Sequence, residues 1–465
     1  MVLPVRTAVS QSLAAVGVSA LILLGGAATS PPATAQTPVA VQAPAVEASQ
    51  AQLDELLAQM LREPTNIDLT LRYARVATEL HDYEAAITAL ERLLFFNPTL
   101  ARPRLELGVL YYRVGSYAQA RTYLEQAQQS PDVPPDSAAL ISEYLTAIGK
   151  RDSPQRFSAD VFTGLLSETN ANFGPTGSNV LVGGLTIPLP SQFTKKADQS
   201  WATSGSMLYS WDMDDQDSTS LDLTGRGFFT RHIRVRDLDL VALESTFGPR
   251  TTLATLGFTG FSFHPYLIAD WVHLGPDPLY HAFGFGLEAV QKITPALAVS
   301  AIYEMRDQRF YDSALRPTVA DLSGVPNSVS LQGVYRFGGN QAVSALVGFA
   351  DDSTRVPFQD NRQVVGTLGY QIAYPAPFEF INTASSWTTN AYVTRSVYNY
   401  GGPDPLVDPN TTRRDRVWRL SAIENMPMTN DLGLYLQVQY DRVNSTLINF
   451  SYSNVTVLFG PQIHF

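Results

Sequence analysis

The sequence contains no cysteine among its 465 residues. This absence excludes disulfide bonds, thiol catalysis and cysteine-based zinc sites, and it predicts that the chain is not itself a lipoprotein. Charged residues are also scarce, at 16% of the chain, and they leave a net charge of −11. Because no run of five or more basic residues occurs, nucleic acid is not expected as a partner.

Long apolar runs are absent after the N-terminal segment. Arg6 precedes an apolar stretch from Ala14 to Ala28, and Ala33-Thr34-Ala35 then offers an A-x-A cleavage site. This order predicts a secretory signal peptide over residues 1–35, because the stretch is too short and too rich in small residues for a transmembrane anchor. Residues 36–50, rich in proline and alanine, predict a linker. No later stretch approaches the ~20 apolar residues of a membrane helix, so a membrane-spanning mature chain must be a β-barrel.

Residues 51–150 show a helical pattern with an internal repeat at a spacing of 34 positions. The matched pairs are Tyr73-Ala74 with Leu107-Gly108, Tyr83 with Tyr117, Ala86 with Ala120, and Leu90 with Leu124. This period is typical of the tetratricopeptide repeat, in which small residues let paired helices cross closely. Because two repeats cannot bury a core alone, we expect Leu53–Leu61 to pack in front and a capping helix, Asp136–Ile148, to pack behind. The apolar face predicted for that helix carries Ala139, Leu140, Tyr144, Leu145 and Ile148.

From Pro154 onward the hydrophobicity alternates with a period of two residues, which is the pattern of β-strands with one apolar face. In the last stretch, one face carries Val457, Phe459, Pro461, Ile463 and Phe465, and the other carries Thr456, Gly460, Gln462 and His464. Aromatic residues reach 11% of the chain, which suits aromatic girdles at membrane interfaces. The pattern predicts an outer-membrane β-barrel over residues 154–465, with a soluble β-sandwich as the alternative.

The number of strands follows from the alternation of short and long connections, counted backward from Phe465. The predicted strands are 155–168, 199–212, 217–231, 235–247, 263–274, 279–291, 296–309, 327–338, 341–351, 362–374, 385–398, 412–425, 431–442 and 453–465. These are fourteen strands, and an even number returns the chain to the side of the membrane on which it began. We therefore expect the helical domain in the periplasm and Val180–Ile187 in a long first external loop. The expected fold class is multidomain α plus β: an α-helical tetratricopeptide solenoid followed by a 14-stranded antiparallel transmembrane β-barrel.

Three stretches resemble the surface lipoprotein assembly modifier (Slam) family, in which a signal peptide and a short tetratricopeptide domain precede a fourteen-stranded barrel. Pro134-Pro135…Ile141…Tyr144-Leu145…Ile148 is similar to the hinge helix of the family. Gly164 to Asn172 is similar to its first strand, although Glu168 stands where the family has Asp. Arg413-Arg414-Asp415-Arg416…Arg419 is similar to a late strand that opens with Arg-x-Asp. The resemblance implies transport of lipoproteins from the periplasm to the cell surface.

We therefore expect an outer-membrane translocator in a Gram-negative cell. Its helical domain would capture a periplasmic client, a surface lipoprotein, and the client would reach the surface through or along the barrel. The expected partners are this client or an exported polymer, outer-membrane lipid and the barrel-assembly machinery, and the chain is expected to be a monomer. An exopolysaccharide export porin and an outer-membrane barrel enzyme remain as alternatives. No G-x-S-x-G motif occurs, and we expect no enzyme activity.

Two groups of residues are candidates for binding. In this repeat class, ligand contacts usually come from the first helix of each pair; the corresponding positions are Arg75, Glu79, Arg102, Tyr112 and Arg113, with solvated surface as the alternative. In the barrel, the charged residues Glu304, Arg306, Asp415 and Arg419 are expected to face the lumen. A basic residue that faces lipid at mid-membrane costs ~2–4 kcal/mol. These charges are either structural pairs or the polar lining of a path.

Two sequence patterns contain residue types that can bind metal ions. His264, His273 and His281 fall in adjacent predicted strands but at different depths, so we expect lumen-facing or interfacial histidines and no zinc. Glu168 and the asparagines that follow it, Asn170 and Asn172, either coordinate calcium or form Asx turns, and we favour the turns. We expect no catalytic residue, metal or cofactor.

Overall fold

The computed structural model describes residues 50–63, 66–130, 135–152, 154–213, 218–377, 386–429 and 431–465. Within these residues the chain divides into two compact units, a helical unit that ends at Pro154 and a β unit that runs from Gln155 to Phe465. The helical unit holds the predicted repeats, and the β unit holds the predicted barrel.

The described part of the helical unit contains six α-helices. They are α1 (Gln50–Arg62), α2 (Ile67–Glu79), α3 (Tyr83–Phe96), α4 (Ala101–Arg113), α5 (Tyr117–Gln128) and α6 (Pro135–Asp152). Polar residues begin two of them: Asn66 accepts a hydrogen bond from the amide of Leu69 at the start of α2, and Asp82 accepts one from the amide of Ala85 at the start of α3. None of the helices in the described residues is long and apolar enough to cross a membrane.

The residues that recur every 34 positions in the sequence form the core of the helical unit. Leu90, Leu107 and Leu124 are each 0% exposed, as are the small residues Ala86 and Ala120. Gly108 allows α4 to approach α5, because a Cβ at this position would lie 2.5 Å from Cγ of Leu124. The matched positions are therefore the places where paired helices meet, as the tetratricopeptide pattern predicts.

The last helix, α6, covers the end of the repeat core. Its residues Ile141, Tyr144 and Ile148 are at most 2% exposed. The ring of Tyr144 packs edge-on against that of Tyr112 on α4, with centroids 5.1 Å apart. The predicted capping helix is confirmed, but Ile141 belongs to its buried face, whereas the predicted member Ala139 is exposed.

The described β unit contains fourteen antiparallel strands that close into a barrel. These strands are β1 (Gln155–Glu168), β4 (Asp198–Asp212), β5 (Ser220–His232), β6 (Leu240–Arg250), β7 (Phe261–Leu274), β8 (Asp277–Lys292), β9 (Leu297–Phe310), β10 (Asn327–Phe337), β11 (Gln341–Asp352), β12 (Asn361–Tyr374), β13 (Trp387–Pro403), β14 (Thr412–Pro427), β15 (Leu432–Ser445) and β16 (Tyr452–His464). Between β1 and β4, the short strands β2 (Asn179–Val182) and β3 (Leu185–Pro188) form a separate hairpin. The fourteen-stranded barrel is confirmed, and Val180–Ile187 lies outside it, as predicted.

The even number of strands returns the chain to the end of the barrel at which it began. We call this end the terminal rim, because Gln155 and His464 lie there, and we call the opposite end the loop rim. Two strand boundaries differ by five residues from those predicted, and the others agree to within three residues. β6 begins at Leu240 and not at residue 235, because Arg236–Leu238 forms a turn of 3₁₀ helix. β13 extends to Pro403, beyond the predicted end at residue 398.

The first and last strands pair with each other and close the barrel. Leu165 of β1 lies opposite Phe459 of β16. A Cβ on Gly460 would lie 2.1 Å from the carbonyl oxygen of Thr163, and a Cβ on Gly164 would lie 2.2 Å from that of Phe459. Because a backbone carbonyl in a strand pair cannot move aside as a side chain can, this seam requires glycine at both positions.

Burial in the barrel is the reverse of burial in the helical unit. On β15, the polar residues Gln437, Gln439 and Asp441 are at most 8% exposed, whereas Val438 between them is 43% exposed. Successive side chains of a strand point to opposite faces, so the polar set faces the interior and the apolar set covers the exterior. This arrangement is that of an outer-membrane barrel.

One inward position does not follow the polar pattern predicted for the last strand. Leu458 is 4% exposed and lies on the same face as Thr456 and Gly460. It packs inside the barrel against Phe162 and Leu166, next to Ala202, which form a small apolar cluster near the seam. The interior is therefore polar over most of its surface, with a local apolar patch beside the seam.

Candidate functional site

Arg306 is the centre of a charged network inside the barrel. Its guanidinium lies 3.1 Å from carboxylate oxygens of Glu244 and Glu304 and 3.3 Å from that of Asp270. Glu244 is on β6 and Arg306 is on β9, and two further strands separate these in the sheet. A direct contact between the two side chains must therefore cross the interior. The structure thus places the sequence-predicted residues Glu304 and Arg306 inside the barrel and brings them together as an ion pair.

A second network lies beside the first, around Arg250 of β6. Nε of Arg250 donates to Asp222 on β5 at 2.9 Å, and Nη1 lies 3.0 Å from Glu288 on β8. Nδ1 of His264 lies 2.6 Å from Nη2 of Arg250 and 3.7 Å from Glu288. Together, the inward charges of β5 to β9 form what we call the first charged arc.

The strands β14 and β15 carry a second charged arc. Asp415 and Arg419, which the sequence places on one face of β14, are both buried and inward-facing, but they pair with different partners. Arg413 donates to Asp415 at 2.6 Å, and Arg419 donates to Asp441 of β15 at 2.6 Å. The guanidinium of Arg413 also lies 3.8 Å from the ring centroid of Phe450. This second arc is thus a set of buried pairs, each satisfied by a near neighbour.

Between the two arcs, the strands β10, β11 and β12 turn short and uncharged side chains inward. Their central inward positions carry Ser330, Gln332, Val334, Ser344, Leu346, Gly348, Val365, Thr367 and Gly369, most of which are short. Within the described residues, charged inward side chains on these strands occur only at the ends, at Arg336 and Asp352. The interior therefore has two charged arcs and, between them, a neutral wall, the name we give to the inward faces of β10 to β12.

The residues predicted either to bind calcium or to form turns brace the first connection at the loop rim. Asn170 exchanges two hydrogen bonds with the backbone of Gly174, both at 2.9 Å. The amide oxygen of Asn172 accepts from the backbone N–H of Lys196 at 2.7 Å. Glu168 accepts a hydrogen bond from an asparagine of β16 at 3.1 Å. The bonds of Asn170 close a local turn, whereas those of Asn172 and Glu168 join segments 24 and 286 positions apart, so the predicted turn describes Asn170 alone.

The three histidines of β7 and β8 do not converge. His264 faces inward in the network of Arg250, whereas His281 lies 2.6 Å from the hydroxyl of Tyr311. His273 packs against the ring of Trp271, with centroids 5.6 Å apart. In the described part of the chain, no three histidine or acidic side chains are grouped so as to hold a metal ion.

Sequence reasoning missed Arg316, which joins three connections at the loop rim. Its guanidinium donates to the backbone carbonyls of Asp237 at 2.6 Å and Leu274 at 2.8 Å. The residue is 3% exposed, and burial lowers the pKa of Arg316 from its ordinary value, although Asp277 is 3.9 Å away. A single arginine within a long connection has no sequence signal that would reveal such partners.

Four of the five predicted client-binding residues are exposed on the first helices of the two repeats. Arg75 and Glu79 lie one turn apart on α2, and Arg102 and Arg113 lie on α4. None of these four forms an ion pair or side-chain hydrogen bond with another described residue. Tyr112 is different, because it is 5% exposed and belongs to the core between α4 and α6.

A tyrosine pair fixes the relative positions of α3, α4 and α5. The hydroxyl of Tyr111 donates to Glu91 at 2.7 Å, and its ring stacks on that of Tyr123 with centroids 5.5 Å apart. Burial, together with the hydrogen bond to Glu91, raises the pKa of Tyr111 to about 12. The phenol therefore stays protonated at physiological pH and keeps this bond.

Comparison with known proteins gives matches at the level of structure. No family model and no curated protein sequence matches the chain. The crystal structure of MamA covers 22% of this chain with 17% identity and a TM-score of 0.20, and this chain spans 58% of the length of MamA. A deltaS2 mutant of the monoaromatic hydrocarbon channel TodX covers 68% of this chain and 94% of its own, with 9% identity and a TM-score of 0.36. Pseudomonas aeruginosa OpdQ covers 67% and 98%, with 10% identity and a TM-score of 0.31.

The features of the two units together define a class of protein. The helical unit is a short tetratricopeptide-type solenoid, and the β unit is a closed barrel with an apolar exterior and a largely polar interior. Such an arrangement of surfaces is stable only when lipid covers the outside and water reaches the inside. The chain is an outer-membrane β-barrel protein with a porin-like barrel and an N-terminal repeat domain.

Proposed function

We propose that this protein is an outer-membrane translocator whose repeat domain binds a periplasmic client and whose barrel delivers it to the cell surface. The observation that carries this proposal is the set of unpaired charges Arg75, Glu79, Arg102 and Arg113 on α2 and α4. Glu79 and Arg113 are 34 positions apart and so occupy equivalent places in the two repeats. A row of unpaired charges on the first helices offers contacts to a polar client at little desolvation cost.

The barrel would contribute a path and not a reaction. Both charged arcs are already paired internally, so their side chains hold the walls in place and leave few charges for a client to displace. The neutral wall of β10 to β12 carries short side chains, which reach least far into the interior and leave room beside them. A passing client would therefore move along this wall, where no strong ion pair has to be broken.

The client class is proposed from the resemblance to the Slam family, which implies a surface lipoprotein. The Arg-x-Asp stretch that carries part of this resemblance forms the buried pair of Arg413 and Asp415. This pair is inaccessible and therefore supports the barrel wall. Recognition of the client is assigned to the repeat domain, which on this proposal lies in the periplasm.

The test uses whole cells that carry the full-length protein. Surface proteomics with and without the chain first identifies the lipoproteins whose display depends on it. The double variant Arg75→Glu/Arg113→Glu is then compared with Arg92→Glu, an exposed charge reversal on α3, the second helix of the first pair. We expect the double variant to reduce display about tenfold or more, with the lipoprotein retained in the periplasm, and the control to display normally.

Two outcomes would contradict the proposal. One is normal lipoprotein display in the double variant at equal barrel abundance, which would show that these charges of the repeat domain do not bind the client. The other is intact display together with loss of a secreted polymer, which would favour an exopolysaccharide export porin. Heat-modifiable migration on a gel confirms in each case that the barrel has folded.

A further inference from the structure

A cluster of four arginines lies on the exterior of the barrel, on the strands β13, β14 and β15. Arg395 pairs in the sheet with Gly366 on one side and Trp418 on the other, and Trp418 in turn pairs with Arg442. Their neighbours on the same face are exposed apolar residues, such as Leu420 at 47%. Since side chains two residues apart share a face, these arginines point outward with the apolar set. Arg414 and Arg416 continue the outward face of β14 toward the loop rim, and with Arg395 and Arg442 they form what we call the outward arginine cluster.

The cluster differs from the other outward arginines of the described barrel strands. Arg231, Arg309 and Arg362 each have a carboxylate within reach, at 3.7, 2.8 and 3.2 Å. No such partner lies near any member of the outward arginine cluster in the described residues. One member has an uncharged partner, because Nε of Arg442 donates to the side-chain oxygen of Asn444 at 3.3 Å. Four positive charges without a carboxylate partner therefore stand together on a surface that faces lipid, in a chain with a net charge of −11. They require an anionic partner from outside the chain.

Arg395 shows this requirement at the level of single atoms. Its guanidinium carbon lies 4.7 Å from the ring centroid of Trp418, which holds the side chain against the sheet. In this position Nη1 is buried and has no hydrogen-bond partner in the described structure. An unsatisfied charged donor costs more than a neutral one, and because Nη1 is buried, the guanidinium must shift for this donor to reach an acceptor outside the chain.

An apolar groove continues the cluster on its terminal-rim side. It has a volume of about 540 Å³ and crosses the exterior of β12 to β15. Leu368, Val393, Leu420 and Val438 form its sides, and the small residues Ala391 and Ala422 leave the space between them. The outward arginines, which need an anion, thus lie next to an apolar groove. A molecule with an anionic head and an apolar tail, an amphiphile, would match both features.

The depth of the cluster identifies the part of the membrane from which this amphiphile comes. Trp418 and Pro427, which lies at the terminal-rim end of β14, are nine positions apart. At ~3.4 Å per residue and a strand tilt of ~40°, Trp418 lies ~23 Å above that end, close to the ~25 Å height of the apolar band. The arginines therefore lie where the hydrocarbon ends and the headgroups of the loop-rim leaflet begin, and the groove lies within the hydrocarbon.

We propose that the outward arginine cluster and the groove form a binding site for a phosphorylated glycolipid of the outer leaflet. The arginines span three neighbouring strands, or ~10 Å, a width that suits a headgroup with two phosphates. Arg395 and Arg442 lie on either side of Trp418, with Arg416 above them, and donate to the phosphates. An acyl chain occupies the groove. This site is independent of the proposed translocation function and fixes the barrel in its leaflet.

The test is native mass spectrometry of the full-length protein in detergent micelles with added lipid A, which carries two phosphates on a glycolipid. The double variant Arg395→Gln/Arg416→Gln is compared with Arg309→Gln, which removes an outward arginine that already has a carboxylate partner. We expect about tenfold or more weaker lipid A binding in the double variant and unchanged binding in the control. Dephosphorylated lipid A should bind about as weakly to the native chain as lipid A binds to the double variant.

Further measurements distinguish the possible sources of the anion and test whether each variant is folded. Inorganic phosphate at the same concentration should not displace lipid A, because it cannot fill the groove; displacement would overturn the glycolipid assignment. Equal binding of lipid A by the native chain and the double variant, or equal binding of the two lipids by the native chain, would overturn the site. Leu420→Ser, in the groove, should also weaken binding while the arginines are intact. Heat-modifiable migration shows for each variant that the barrel is folded.

Discussion

The helical unit and the barrel of this chain bury opposite kinds of residue. In the helices, the least exposed side chains are leucines and alanines such as Leu107 and Ala120, both at 0%. In the barrel, Asp415 is 2% exposed while Leu368 is 67% exposed. Both units belong to one chain, and the difference in burial follows from the solvent that each meets. Water drives the leucines of the first inward, and lipid allows those of the second to remain outside.

This contrast also determines which part of each unit tolerates change. The helical unit is held by packed apolar volume, where an added methyl group meets other side chains and costs packing free energy. The barrel is held by its hydrogen-bonded ladder and by buried ion pairs. A backbone carbonyl in the ladder cannot move aside for an added atom, and a charge that has lost its partner stays buried and unpaired. The following substitutions compare the two units at matched positions.

The largest effect is expected at the seam. Gly460→Ala places a Cβ where the carbonyl oxygen of Thr163 would be 2.1 Å away, so β1 and β16 cannot pair in their present register. Gly108→Ala in the helical unit instead meets the buried side chain of Leu124, 2.5 Å from its Cγ, and should destabilise that unit. We expect the first variant to lose the heat-modifiable barrel form in membranes and the second to keep it. Gly333→Ala, a barrel position with open space, is the matched control, and a barrel that folds normally with Gly460→Ala would contradict the close approach.

The next effect is expected from removal of the charge at the centre of the first arc. Arg306→Met leaves Glu304 and Asp270 without their cation, whereas Glu244 keeps Arg226 at 3.3 Å. Loss of one partner of a buried network costs ~3–5 kcal/mol. We expect a lower unfolding midpoint of the barrel in denaturant. In a planar bilayer, any current through the barrel should shift toward cation selectivity, because Glu304 and Asp270 are left without a cation.

The control for Arg306→Met is Arg309→Met, which removes a neighbouring but outward arginine of the same strand. Restoring charge balance with Arg306→Met/Glu304→Gln should recover part of the stability, because Glu304 forms its ion pair with Arg306. Equal stability of Arg306→Met and the native barrel would show that the network contributes little to the fold.

The smallest effect, and the most direct test of the contrast, comes from one substitution made in both units. Leu124→Ala opens a cavity in the helical core and should lower its free energy of unfolding by ~2–5 kcal/mol. Leu368→Ala removes the same atoms from a position that faces lipid, where the change should remain within about 1 kcal/mol. The helical circular dichroism signal follows the first and heat-modifiable migration follows the second. Equal losses of stability from the two substitutions would contradict the view that water surrounds the helical unit and lipid surrounds the barrel.

Much of this architecture follows from the sequence, because burial repeats with a fixed period. The spacing of 34 positions identifies the helix contacts at Leu90 and Leu124, and the alternation along β15 identifies Gln439 as inward. The parity of the strand count correctly separates the hairpin of Val180–Ile187 from the barrel. These inferences need only local patterns, since the period of two or of 3.6 residues converts directly into a face.

What could not be predicted depends on contacts between distant elements. Glu304 and Arg306 could be placed on one face of β9, but Glu244 reaches the same arginine from three strands away. Asp415 and Arg419 share a face, yet each pairs with a different residue. Tyr112 has the repeat position of a ligand contact and is nevertheless buried by α6, a helix that follows it in sequence. Periodicity indicates a face, but not the partner that the fold brings to it.

The seam between β1 and β16 has a consequence for how the chain reaches its final form. Thr169 and Asn454, which hydrogen-bond beside it, are 285 positions apart. Bringing together the ends of so long a segment costs ~5 kcal/mol of chain entropy, if no structure forms between them first. The intervening hairpins must therefore assemble beforehand, each from neighbours in sequence, and shorten the gap step by step. Until β16 joins the sheet, the assembling hairpins keep two open edges, so the addition of this strand is the step that permits closure.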